Sequence, residues 1–217
     1  MRVAADAPIT FGITGASGAP YAVRVLRAFC EAGTPVRLII SGYGLRLLAE
    51  ETGITGTDGL KAATGDWSNI ELYDSLDRGA TPASGSAPSR GMLVCPCSMG
   101  TLASIAAGTS RNLVERAADV ALKERRPLIL VPRETPFSLI HLENMTRLTR
   151  AGATILPAAP GFYHRPKSID DLVDFVAARI LDHLDVPHSI GTRWKSGERQ
   201  ELQGTGDRGQ GTAPNDT

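Results

Sequence analysis

The residues of this chain best suited to chemistry gather where apolar runs give way to small, hydroxylated residues. The first such place is Thr14-Gly15-Ala16-Ser17-Gly18. Glycine lets a ligand approach the backbone closely, Ser17 offers a hydroxyl, and a following helix would present unpaired N–H groups and partial positive charge to an anion. The same residues also suit a tight turn with a capping serine. Gly12, Gly15 and Gly18 do not have the G-x-G-x-x-G spacing of dinucleotide sites. A second place, Ile39-Ile40-Ser41-Gly42, carries a neutral hydroxyl where an NAD site carries an acid, which suits a phosphate or a flavin's ribityl chain. A third reads Cys95-Pro96-Cys97-Ser98-Met99-Gly100-Thr101. Three hydroxyl-bearing turns at one sheet edge point to a mononucleotide phosphate site.

The second half of the chain is rich in cations, among them Arg116, Lys123, Arg133, Lys167 and Arg179. Arg116 and Lys123 stand two turns apart on one helical face, and Arg133 follows an apolar strand with Glu134 beside it. A phosphorylated second substrate needs such a set, because Arg binds phosphate oxygens in pairs and Lys adds a point charge. Each of these cations also suits a solvated surface. Asp170-Asp171-Leu172-Val173-Asp174 spells D-D-x-x-D, a magnesium-diphosphate pattern in many prenyl-transferring enzymes. Acids in the first turn of a helix are favoured by its dipole, so the pattern is read here as a helix start and no metal is expected. Cys95-x-Cys97 lacks the further closely spaced Cys or His that a zinc site requires. In Gly161-Phe162-Tyr163-His164, the tyrosine can offer hydroxyl and ring to a ligand or simply pack in its turn.

These groups must be positioned by the elements around them. Ile9–Ile13, Val36–Ile40, Met92–Val94, Leu128–Val131 and Thr154–Leu156 are short apolar runs, each followed by a helical pattern. Continuous apolar runs imply strands covered on both faces, and strand–helix alternation implies right-handed parallel crossovers. The expectation is a single-domain, doubly wound α/β fold with Rossmann/flavodoxin-like topology. Pro20 early in the first helix, Gly33 after it, and Ser168 before Ile169–Leu184 mark helix ends. Asp74–Arg90 is rich in Gly, Ser, Ala and Pro and reads as a linker or as a loop lying over the ligand. Residues 1–8 are expected to be a flexible N-terminus, 9–186 the domain, and 187–217 an extension disordered beyond about Trp194.

The 217 residues carry 23 Lys+Arg and 23 Asp+Glu, so bulk charge favours neither nucleic acid nor an anionic membrane. No stretch approaches the roughly 18 continuous apolar residues of a membrane span. Three cysteines and no apolar leader before Pro8 suit the cytoplasm better than a secreted disulfide framework.

The segments "TGASGAPYAVRVL", "PASGSAP", "CPCSMGTLASIAAG", "NLVERAADVALKERRPLILVPRETPFSLIHLENM" and "ILPAAPGFYHRPKSIDDLVDFVAARIL" together resemble the UbiX-type flavin prenyltransferases, in order and spacing, from Ile9 to Val186. The resemblance implies an enzyme that joins a dimethylallyl group to N5 and C6 of reduced FMN without a metal, mostly from dimethylallyl monophosphate. The product, prenylated FMN, serves UbiD-type decarboxylases. By matching motif, Gly15, Ala16, Ser17, Ser41, Ser98, Met99, Gly100, Thr101 and Arg133 would hold the flavin. Arg116, Lys123, Arg133, Tyr163 and Arg179 would surround the prenyl phosphate. Ser17, Glu134, Tyr163 and Lys123 would be catalytic, in sites assembled where protomers of a homododecamer meet. Some relatives carry a tryptophan before the "PASGS" loop, where this chain has Arg78, so donor preference is open. Two alternatives share the flavin: an FMN-dependent decarboxylase of cysteinyl substrates, whose "PASANT"-like loop is absent here, and a non-catalytic flavin-binding protein, to which Lys123, Arg133 and Arg179 would be surplus.

Overall fold

The structure is a computed structural model that describes residues 6–191; residues 1–5 and the tail expected beyond Trp194 lie outside the described residues. Six strands form one parallel sheet: β1 (Ile9–Ile13), β2 (Val36–Ile40), β3 (Ile70–Tyr73), β4 (Gly91–Cys97), β5 (Leu128–Pro132) and β6 (Thr154–Ile155). Their order is β3-β2-β1-β4-β5-β6. The chain winds outward from β1 to β3, then returns to β1's other side at β4. Such a reversal opens a crevice at the strands' carboxyl ends, between β1 and β4, where ligands bind in open α/β sheets.

Both faces of the sheet are covered, which is why the strands read as unbroken apolar runs. Ile9, Phe11, Ile13, Leu93, Cys95, Ile129 and Val131 face one layer, built from α1 (Ala19–Glu31), α2 (Gly42–Thr52), α3 (Gly56–Thr64) and α7 (Ile169–His183). Met92, Val94, Cys97, Leu128 and Leu130 face the other, built from α4 (Met99–Ala107), α5 (Leu113–Lys123) and α6 (Leu139–Arg150). In the first layer Phe11 and Phe29 meet edge to face with ring centroids 5.8 Å apart.

The strand β3 escapes the sequence reading. It is an edge strand whose side chains are half-buried or exposed, so Ile70-Glu71-Leu72-Tyr73 shows no buried run, and only pairing with β2 makes it a strand. The following segment, Asp74–Arg90, does not lie over its own chain's first turn. It descends beside α5: Ser75 O accepts from Leu113 N–H at 2.8 Å and Gly85 O from Arg126 Nη2 at 2.7 Å. A short 3-10 turn, Thr81–Ala83, lies within it.

Local rules set the helix ends. Pro20 lies in the first turn of α1 and Ser168 caps α7 in a capping box with Asp171. Beyond α7, Arg90 Nη2 donates to Leu184 O and Asp185 O at 2.9 and 3.1 Å. Val186 and Ile190 are buried against the core of the first layer. At the other end Ala7 is buried and Pro8 O accepts from Arg90 N–H, so packing begins before Ile9.

Phe29 is fully buried against Phe11 and the core of the first layer. Phe29→Ala is expected to cost about 3–5 kcal/mol in urea unfolding, because the cavity cannot collapse onto a packed sheet. A cost below about 1 kcal/mol would show that this layer does not carry the core.

Candidate active site

The crevice between β1 and β4 is closed by one threonine. Thr14 Oγ1 donates to Pro96 O at 2.8 Å and accepts from Ser98 N–H at 2.9 Å, so the ends of β1 and β4 are tied where the topology reverses. The turn Gly15–Gly18 and the start of α4 therefore form a single surface. Ser41 accepts from Gly44 N–H at 3.1 Å and caps α2, while Ser98 accepts from Thr101 N–H at 3.1 Å and caps α4. A capping hydroxyl uses a lone pair and keeps its proton to donate. Ser98 gives its proton to Thr101 Oγ1 at 2.9 Å, leaving the Thr101 hydroxyl as the outer donor.

The helix α2 lies along the first turn, and two glycines permit the approach. A Cβ on Gly15 would stand 2.4 Å from Tyr43 Cβ, and one on Gly44 would stand 2.7 Å from Ile13 O. No larger residue fits either place without moving the helix. At the far end of α2, Glu51 Oε2 accepts from Gly18 N–H at 2.8 Å and Ala19 N–H at 2.7 Å. The Ser17 hydroxyl also bonds to this carboxylate. The amino terminus of α1 is thus answered by an anion from within the chain.

Partial burial raises the Glu51 pKa, but the Gly18 N–H, the Ser17 hydroxyl, the Ala19 N–H and the nearby Arg133 guanidinium outweigh it and hold the carboxyl below its ordinary range. Arg133 follows β5 and donates from Nε to Ser17 O at 3.2 Å. The adjacent Glu134 accepts from Thr135 N–H at 2.9 Å. Ser17, Arg133 and the unforeseen Glu51 therefore form one cluster beside Ser98 and Thr101. Glu51 has no sequence signal, because only the packing of α2 brings its carboxylate to α1.

The other expected residues lie elsewhere on the chain. Tyr163 and Arg179 line a cavity of about 550 Å³ along the outer side of α7, and Ser17, Ser41, Ser98 and Arg133 are not on its wall. The Tyr163 ring stands edge-on to Phe175 and His164, with centroids 5.8 and 5.7 Å away. Arg116 and Lys123 share α5, as their spacing implies, each beside a carboxylate: Arg116 Nη1 is 2.6 Å from Asp119 Oδ2, and Lys123 Nζ bonds Glu124. Since α5 ends just before β5 begins, Lys123 lies at the strands' amino edge, opposite the Ser17 turn. There it approaches the 82–88 loop, where a Cβ on Gly85 would be 2.6 Å from Lys123 Nζ.

The acidic run has structural partners. Asp171 accepts from the N–H groups of Lys167 and Ser168, and Asp174 pairs with Arg24 Nε at 2.6 Å. Among the described residues no group of three His, Cys, Asp or Glu side chains could hold a metal ion. Cys95 and Cys97 are buried free thiols; burial pushes both up, Cys97 to about 12, and makes them poor nucleophiles.

The sequence pattern of the Flavoprotein family matches residues 3–181, and the chain belongs to that family. A flavin prenyltransferase UbiX of Pseudomonas aeruginosa is 50% identical over 197 residues, covering 86% of this chain and 93% of the relative. One from Halalkalibacterium halodurans is 49% identical, covering 85% and 92%. Within the family, then, the chain is a member of the UbiX-type flavin prenyltransferases. A crystal structure of AnUbiX (PadA1) in complex with FMN and dimethylallyl pyrophosphate matches with TM-score 0.82 and 40% identity, covering 88% of this chain and 99% of that one. A dodecameric FMN-dependent UbiX-like decarboxylase from Escherichia coli O157:H7 matches with TM-score 0.81 and 42% identity, covering 87% and 99%. An FMN-dependent cysteine decarboxylase, TvaF, shares only the fold, at 15% identity and TM-score 0.56.

The Glu51 contacts carry a pH dependence. A carboxyl held below its ordinary value binds its proton less readily in the folded chain than in the unfolded one. Its stabilising contribution is complete above the unfolded value, near 4.5, and is lost as pH falls through the lower folded value. Urea unfolding is expected to show a deficit for Glu51→Gln at pH 7 that shrinks toward pH 3. An equal deficit at both pH values would show that the charge of Glu51 does not matter to the turn.

Proposed function

We propose that this chain transfers a dimethylallyl group from a dimethylallyl phosphate to reduced FMN. What carries this is the convergence of Ser17, Arg133 and the capped hydroxyls of Ser41 and Ser98 at the topological switch point of a chain of this family. The hydroxyls of Ser41 and Thr101 and the guanidinium of Arg133 are donors that suit a flavin mononucleotide at this edge of the sheet. Gly15, Ala16, Ser17, Ser41, the run Ser98 to Thr101, and Arg133 would hold it. Reduced flavin supplies the nucleophilic nitrogen and the ring carbon that bond to the prenyl group.

The protein's own work is positional and electrostatic. Breaking an allylic carbon–oxygen bond leaves negative charge on the departing phosphate, and Lys123, Arg133 and Arg179 would balance it, with Arg116 a further cation of the set. Tyr163 and Glu134 would hold and pass the proton released when the ring closes. Ser17, steadied by Glu51, would place its hydroxyl against the flavin. Because Lys123 lies at the amino edge of the sheet and Ser17 at the carboxyl edge, one protomer's turn would be completed by another's α5 and 82–88 loop in a homo-oligomer, a dodecamer by family resemblance. The product would pass to a UbiD-type decarboxylase in the cytoplasm. No described helix is long and apolar enough to cross a membrane.

Anaerobic incubation with reduced FMN and dimethylallyl monophosphate, then the diphosphate, is expected to give a flavin heavier by C5H8 in mass spectra, with or without magnesium. Asp170→Asn with Asp171→Asn is expected to leave this turnover intact. Unmodified flavin with both donors, despite tight FMN binding, would favour a decarboxylase or a binding protein.

Assembly of the site between copies has its own test. Ser17→Ala and Lys123→Ala chains are each expected to lose most activity alone. Coexpressed in equal amounts, they should recover activity toward about one quarter of wild type, because random mixing leaves that share of sites intact. No recovery in mixed oligomers would place both groups in one chain's site.

A further inference from the structure

Arg179 does not stand alone on α7. Its Nη1 is 3.2 Å from Asp182 Oδ2, and the other carboxylate oxygen, Oδ1, is 3.2 Å from His188 Nε2. The second ring nitrogen of His188, Nδ1, accepts from Ile190 N–H at 3.2 Å. A nitrogen that accepts a hydrogen bond carries no proton, so the imidazole proton is on Nε2 and points at Asp182. The three side chains form a directed line from a backbone N–H to an exposed guanidinium.

Burial falls along this line: the side chains of His188, Asp182 and Arg179 are 4%, 31% and 54% exposed. An exposed pair one helical turn apart contributes little by itself, because two flexible side chains must be ordered to make it. Here one end is already ordered. Val186 and Ile190 are buried in the core beneath α7, so the segment bearing His188 cannot shift without uncovering apolar surface. Asp182 is steadied from that side and directs the guanidinium on the other. Arg179, Asp182, His188 and Tyr163 share the wall of the cavity of about 550 Å³.

We propose that Asp182, held by His188, is a positioning residue that presets Arg179 for the phosphate of the prenyl donor. The inference rests on the reading above that Arg179 contacts that phosphate. A guanidinium already in place loses less rotamer freedom on binding, so the gain falls on donor affinity and not on the chemical step.

Asp182→Ala is expected to raise KM for dimethylallyl monophosphate about tenfold, with kcat and FMN affinity nearly unchanged. Asp182→Asn keeps an oxygen facing Arg179 and should recover part of the loss. His188→Gln retains an N–H donor toward Asp182 and should stay near wild type, whereas His188→Leu should approach Asp182→Ala. In an Arg179→Ala background, removing Asp182 should add nothing, since the two act through one contact. If Arg179→Ala raises KM while Asp182→Ala does not, positioning is overturned and the phosphate role of Arg179 stands. If Arg179→Ala leaves KM unchanged, both fail. Parallel loss of kcat and FMN binding in Asp182→Ala and His188→Gln would mark a structural role and also overturn the proposal.

Discussion

The amino terminus of a helix presents N–H groups that no residue of the helix itself can satisfy, and at α1 two of them are met by Glu51. Much of the first turn depends on this contact. It requires α2 to lie against β1, which Gly44 and Gly15 permit by having no Cβ. It draws the Ser17 hydroxyl toward a fixed carboxylate and sets an anion opposite Arg133, whose own bond to Ser17 O ties β5 to the turn. Thr14 then joins β1 to β4, so elements far apart in the chain meet at the strands' carboxyl edge.

Because an internal anion occupies that helix terminus, the side-chain donors left at the crevice come from the neighbouring turns. Ser41 and Ser98 serve two ends at once: each terminates a helix through a lone pair, and each leaves a hydroxyl proton at the crevice, that of Ser98 relayed through Thr101. Helix capping and outward hydrogen-bond donation make compatible demands on the same hydroxyl. The cations proposed for the phosphate are dispersed over α5, the β5 end and α7, where each has a partner. Dispersal over one protomer is the geometry expected of a shared site, in which no single chain must hold several like charges close together.

The D-D-x-x-D run shows how a motif can be spent on folding. Asp171 closes a capping box and Asp174 pairs with Arg24 on α1, docking α7 to its neighbour. Both carboxylates are thereby drawn away from any common centre. Cys95 and Cys97 are similar: the register irregularity between Val94 and Cys97 turns them to opposite faces of β4, where they fill space in separate halves of the core.

Much of the fold was legible in the sequence. Unbroken apolar runs of strand length, alternating with helices, can be satisfied only by a sheet covered on both sides, and Ser168 and Pro20 marked helix ends because capping acts within a few residues. The hydroxyls at Ser17, Ser41 and Ser98 were visible too, since Ser41 and Ser98 directly follow apolar runs and Ser17 sits in the glycine-punctuated turn after the first. Tertiary structure alone decided the rest. The edge strand β3 exists through its pairing with β2, Glu51 reaches α1 only because α2 packs where two glycines allow, and Lys123 lies opposite the turn because α5 runs against the strands. Local chemistry is written in adjacent residues, whereas the meeting of distant side chains depends on the direction and closeness of packed elements, which no short stretch of sequence contains.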